Sequence, residues 1–226
     1  MSKDFHTLME EAGEIKETCI AGSESRPPTR QSSAAVTQQR KNKDRVDFYP
    51  TPPSTTRLFL DWLEQRYNHL SVKTCWEPAA GNLDMSKELE KTFGHVYSSD
   101  YHDPAELGLD RIDFADQLLS KRARHDWIIT NPPFSLAAEF IHNGLRYSDN
   151  GCAMLVRIAF LEGLKRYNTI FKERRPTDVC VYVKRQSMSY GKVDEKRPSA
   201  MCFAWVVWDK NRAFYRPNST SVHWLI

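Results

Sequence analysis

The feature that most narrows what this chain can fold into is the run Trp127-Ile128-Ile129-Thr130-Asn131-Pro132-Pro133-Phe134. It opens as a short apolar stretch, which reads as a buried strand. It stops at Asn131-Pro132-Pro133, because two consecutive prolines remove two backbone donors and end ladder pairing. Pro132 also drives Asn131 towards an extended conformation. Beyond Phe134, the run Ser135-Leu136-Ala137-Ala138-Glu139-Phe140-Ile141 has a helical pattern, with Ser135 placed to cap it. The turn therefore sits at the carboxyl end of a strand and the entrance of a helix. In open α/β sheets that rim is where ligands bind.

Such a turn offers specific chemistry. The Asn131 side chain has one acceptor oxygen and two donor hydrogens, and the carbonyl of Pro132 adds an acceptor beside it. Two acceptors converging on one point hold both hydrogens of a planar –NH2 group, turn its lone pair outwards and favour a pyramidal, more nucleophilic nitrogen. Phe134 supplies a flat face on which an attached ring can stack. The plain alternative is a proline-rich connection without chemistry.

The remaining chain supports the first reading. With 226 residues it fits one domain large enough for a full core. The formal net charge of +3 permits nucleic acid as a partner without demanding it. The five cysteines (Cys19, Cys75, Cys152, Cys180, Cys202) form no CxxC pair, and the seven histidines are scattered, so the pattern supports no metal site. Free thiols in apolar runs fit a reducing, cytoplasmic setting. No stretch approaches the roughly 20 apolar residues of a membrane span, and no signal-peptide pattern is present.

Residues 1–44 read as a polar tail. Gly22–Asp44 is rich in Ser, Thr, Gln, Arg and Lys and lacks apolar periodicity. Ahead of it, Phe5, Leu8, Met9, Ala12 and Ile15 recur at helical spacing among acidic residues. The domain proper, 45–226, opens near Tyr49-Pro50-Thr51-Pro52-Pro53, after which Ser54 is placed to cap a helix with Leu58, Phe59, Trp62 and Leu63 on its apolar face. Strands follow at Val72–Trp76, His95–Ser99, Arg111-Ile112, Trp127–Thr130, Cys152–Ile158, Asp178–Lys184 and Met201–Trp208, the last followed by a short tail. A helix is expected at Asp84–Phe93, and another carries Leu164, Tyr167, Ile170 and Phe171. Strands alternating with helices imply βαβ units and a mostly parallel sheet.

The carboxyl ends of the first four strands carry Glu77 with a glycine-containing turn, Asp100, Asp113-Phe114, and Asn131-Pro132-Pro133-Phe134. Ala79, Ala80 and Gly81 allow a ligand to approach the backbone closely. An acid about twenty residues beyond such a turn suits the hydroxyls of a ribose, and Gly81 to Asp100 is nineteen residues. Asp113 with Phe114 suits an adenine ring. Any one of these acids alone reads as a solvated carboxylate; their meeting at one rim is the informative part.

On these residues the chain resembles the class I S-adenosylmethionine-dependent methyltransferases, specifically the branch typified by DNA N6-adenine methyltransferases. The resemblance runs from about Asp47 to Trp208. It implies a Rossmann-like α/β fold with a seven-stranded sheet in the order 3-2-1-4-5-7-6, the last strand antiparallel. It also implies S-adenosyl-L-methionine as cofactor, held by Tyr49, Pro50, Thr51, Glu77, Ala79, Gly81, Asp100, Asp113, Phe114 and Asn131. Asn131, Pro132, Pro133 and Phe134 become the catalytic motif, and the substrate an adenine amino group, in DNA first. RNA adenine comes second, a protein glutamine amide third, and a non-catalytic binding protein on the same fold last. The chain departs from the family at Gly81-Asn82-Leu83, where Gly-x-Gly is common; Leu83 either narrows the site or shifts the turn. No separate target-recognition domain is evident. The loop Lys184–Pro198 is therefore the candidate reader, with Arg185, Lys192, Lys196 and Arg197 for phosphates and Met188 or Tyr190 at the base.

Overall fold

The computed structural model describes residues 49–116, 124–188, 201–215 and 218–226. The tail 1–44 and the residues Tyr190, Lys192, Lys196 and Arg197 lie outside this set. Within it, eight strands form one sheet: β1 (Thr74–Glu77), β2 (His95–Asp100), β3 (Asp110–Arg111), β4 (His125–Thr130), β5 (Ser148–Arg157), β6 (Asp178–Tyr182), β7 (Phe203–Asp209) and β8 (Ser221–Leu225). Their order is β3-β2-β1-β4-β5-β7-β6-β8. β7 is antiparallel to both β5 and β6, and the other pairs are parallel. The first seven strands take the order the sequence implied.

Side-chain alternation splits the core into two layers. Cys75 and Trp127 are register partners facing one side; Trp76 and Ile128 face the other. The first layer is covered by α1 (Pro53–Glu64) and α2 (Asp84–Leu89), through Phe59, Leu60, Leu63, Met85 and Leu89. The second is covered by α3 (Ala137–Tyr147) and by a segment that begins as α4 (Leu164–Arg166) and continues as a π-helical turn at Tyr167–Phe171. All seven residues of β7 are buried, as expected for a central strand with both faces covered.

Two contacts set the position of α1, and with it the loop that precedes it. Tyr182 Oη donates to the Thr55 carbonyl at 2.8 Å, and Trp205 Nε1 donates to Tyr182 Oη at 2.6 Å. The ring of Phe59 stacks on Trp205 at 4.2 Å. On the other layer, Trp76 Nε1 donates to Ser99 Oγ at 2.9 Å, tying β1 to β2.

Several local expectations are corrected. Ser54 does not cap α1: the helix starts two residues earlier than such a cap would place it, at Pro53, whose fixed φ suits the first helical position, and Pro52 is the N-cap. Ser135 does not cap α3 either. A turn closed by Leu136 N–H donating to the Pro133 carbonyl (2.9 Å) intervenes, and the helix begins at Ala137. Val72 belongs to a 3₁₀ turn, Leu70–Val72, and β1 begins at Thr74. α2 ends at Leu89 and not near Phe93. The tail after Trp208 is not without structure: α5 (Lys210–Tyr215) leads to β8, whose five residues pair in parallel with β6.

Candidate functional site

The carboxyl ends of β1, β2 and β4, with the segment after β3, surround a cavity of about 270 Å³ lined by Glu77, Ala79, Gly81, Asp100, Asp113, Phe114, Asn131, Pro132, Pro133 and Phe134. Tyr49, Pro50 and Thr51 close it from the loop ahead of α1. The structure thus brings to one cavity every residue that the sequence assigned to cofactor and catalysis. Glu77, Asp84, Asp100 and Asp113 give the wall four carboxylates, and among the described residues no lysine or arginine lines it.

The glycine-containing turn is held by the wall itself. Gly81 has φ +52°, and its N–H donates to Asp100 Oδ2 at 2.9 Å; Asp100 Oδ1 accepts from His102 N–H at 2.8 Å. Leu83 also takes a left-handed conformation, φ +64°, as the N-cap of α2. It keeps the turn that a glycine would adopt, at a steric cost of about 1–2 kcal/mol. Leu83 is not among the residues lining the cavity, so the alternative in which it narrows the site does not describe this structure.

Glu77 is 2% exposed and accepts a hydrogen bond from Ser86 Oγ. Burial pushes its pKa well above the ordinary carboxylate value, against the pull of the Ser86 bond, and Asp100 and Asp84 add to the rise. Burial raises Asp84 as well. A buried acid among acids is a site that favours a cation.

Asn131 carries the most specific geometry. Its Nδ2 donates to the Tyr49 carbonyl at 2.9 Å and to Thr51 Oγ1 at 3.1 Å. A carbonyl can only accept, so the amide must turn its nitrogen to Tyr49. Oδ1 is left buried with no partner. Leaving a buried acceptor unpaired costs about 1–3 kcal/mol, which a ligand donor would recover. Pro132 beside it takes no hydrogen bond on its carbonyl among the described residues.

Phe134 is less open than the sequence suggested. Its ring lies 4.8 Å from that of Tyr49, and the Arg157 guanidinium stands 4.1 Å from its centroid. Sequence reasoning did not single out Arg157; a charged residue next to the end of the expected strand Cys152–Ile158 was the one available signal, and the structure makes it the last residue of β5. Phe114 is 1% exposed and packs edge-on against Trp76 at 4.9 Å. Arg185 is exposed. Met188 is 3% exposed and belongs to the apolar cluster against which Phe134 packs, outside the cavity lining. The loop is drawn inward there because Gln186 Oε1 accepts from Thr55 Oγ1 at 2.8 Å.

Among the described residues, no group of three His, Cys, Asp or Glu stands close enough to hold a metal ion, and no helix is long and apolar enough to cross a membrane.

The strand order, the antiparallel β7 and a ligand cavity at the carboxyl rim define a Rossmann-like methyltransferase fold. Solved structures share it. A protein of Listeria monocytogenes assigned as a class I S-adenosylmethionine-dependent methyltransferase superposes with a TM-score of 0.58 at 14% identity, over 85% of this chain and 70% of its own. A modification subunit assigned to a type I restriction enzyme of Vibrio vulnificus gives 0.54 at 12% identity, over 97% of this chain, which spans about half (52%) of that subunit. A protein of Pyrococcus horikoshii assigned as an RNA methyltransferase gives 0.53 at 16% identity, over 72% and 86%. No protein-family model and no curated protein matches the chain.

Proposed function

We propose that this protein is an S-adenosylmethionine-dependent methyltransferase whose acceptor is an exocyclic amino group, the N6 of adenine in DNA. The observation that carries the reading is Asn131: its Nδ2 is tied down by Tyr49 and Thr51, and its Oδ1 is buried, unpaired and beside the cavity.

The residues present fit the cofactor. A related fold binds dinucleotides through their pyrophosphate, but a wall of four acidic side chains with no lysine or arginine offers a pyrophosphate no countercharge and suits a ligand bearing an ammonium and a sulfonium. Glu77 and Asp84 would face the amino-acid end, Asp100 the ribose, and Asp113 with Phe114 the adenine ring. S-adenosylmethionine, when bound, supplies an electrophilic methyl group.

The chain's own contribution is positioning and polarisation. Asn131 Oδ1 and the Pro132 carbonyl accept the two amine hydrogens and aim the nitrogen lone pair at the cofactor. As the nitrogen becomes positive in the transition state, these fixed acceptors stabilise it. The nitrogen then releases one proton to solvent, which restores its neutral form. A base in a duplex must first leave the stack, at a cost of a few kcal/mol.

The test is transfer of labelled methyl to a panel of DNA, RNA and protein. Label at N6 of adenine in DNA is the expected result. Label in RNA or glutamine would keep the enzyme class and replace the substrate. No binding of S-adenosylmethionine or of its product by calorimetry would overturn the reading altogether.

A further inference from the structure

Arg157 is the last residue of β5, which runs parallel to β4 and ends at the same rim as Asn131. Its side chain is only partly exposed. The guanidinium stands 4.1 Å from the Phe134 centroid, within stacking distance of a planar group. Its Nε is buried and has no hydrogen-bond partner, and among the described residues no carboxylate pairs with it. A guanidinium serving only to brace the fold would be expected to hold a carboxylate or carbonyl through its fork of donors. This one is held chiefly by an aromatic ring.

Resting on the amine-transfer reading above, we propose that Arg157 is a positioning residue that stands in for the planar acceptor on Phe134 and is displaced when the acceptor enters. A guanidinium is flat, delocalised and weakly hydrated, so it can occupy the slot of a heteroaromatic ring. It keeps the Phe134 ring in place while the slot is empty. Among the described residues, departure breaks no ion pair, and it returns a buried, unpaired Nε donor to water, so the exchange is readily reversible. The acceptor thereby competes with Arg157, and only a ring that stacks better on Phe134 than the guanidinium does is admitted.

The test uses the full chain saturated with S-adenosylhomocysteine, so that a free nucleoside cannot enter the cofactor cavity. Adenosine binding is measured by calorimetry for wild type, Arg157→Ala and Arg157→Lys, with circular dichroism and melting to check the fold. Arg157→Ala should bind adenosine about 2- to 30-fold more tightly, the range of one cation–π interaction; Arg157→Lys should fall between it and wild type. With an adenine-containing oligonucleotide, KM should drop while kcat stays within about twofold, since an interaction broken before the chemical step acts on binding alone. Unchanged or weaker adenosine binding, or a raised KM, would overturn the inference and make Arg157 a brace or a direct contact to substrate. Should Arg157→Ala fail to fold, Arg157→Lys carries the same sign test. Absence of S-adenosylhomocysteine binding by the wild type would instead mark the failure of the methyltransferase reading.

Discussion

If Thr51 acts by orienting Asn131, then Thr51→Val should slow methyl transfer without weakening the cofactor. The hydroxyl of Thr51 accepts from Asn131 Nδ2 at 3.1 Å, while the Tyr49 carbonyl accepts at 2.9 Å. Valine keeps the shape of this 5% exposed side chain and removes one of the two anchors. A neutral hydrogen bond contributes about 0.5–1.5 kcal/mol. At about 1.4 kcal/mol per decade, that becomes a roughly 2- to 12-fold loss of kcat. Asn131→Ala deletes the acceptor itself and should cost about 10²–10³-fold, as for loss of one preorganised polar group at a developing charge. Because Thr51 is argued to act through Asn131, Thr51→Val on the Asn131→Ala background should lower the rate by no more than about twofold further. The assay is single-turnover transfer of labelled methyl, with cofactor-product affinity by calorimetry beside it. Equal loss of cofactor affinity in Thr51→Val would show that its hydroxyl serves the cofactor. A full second penalty in the double variant would show that the two residues act separately.

Two other predictions concern stability. Leu83→Gly should stabilise the fold by up to about 1.5 kcal/mol, the left-handed strain of about 1–2 kcal/mol less about 0.5–1 kcal/mol for the extra unfolded-state entropy of glycine; a denaturant midpoint measures it, and cofactor affinity should stay unchanged. Glu77 has a folded-state pKa raised above its unfolded value of about 4.3, so the folded state holds the proton longer and stability falls as pH rises through that window. Glu77→Gln, which retains an acceptor for Ser86, should therefore raise the melting temperature at pH 7 and lose that advantage below about pH 4; a melting temperature at pH 7 below that of wild type would contradict the assignment.

The rim and its acids were legible because they are local. Two prolines after an apolar run end a strand whatever surrounds it, and Asp100 lies nineteen residues beyond Gly81 because a short helix and one strand fill that interval. The sheet order of the first seven strands followed once the motifs were matched to a fold, since right-handed βαβ crossovers leave few alternatives. What tertiary structure alone decided depends on groups far apart in the chain. The amide of Asn131 is oriented by residues 80 and 82 positions away, and no local rule reveals which of its atoms is left unpaired. Met188 sits in a polar stretch, yet Gln186 pulls that stretch onto α1 and the methionine into the core. β8 is an edge strand with Trp224 65% exposed, and only the open edge of β6 turns that segment into a strand. In sequence Arg157 is a charged residue inside the expected strand Cys152–Ile158; the parallel pairing of β4 with β5, which ends at Arg157, is what sets its guanidinium over Phe134.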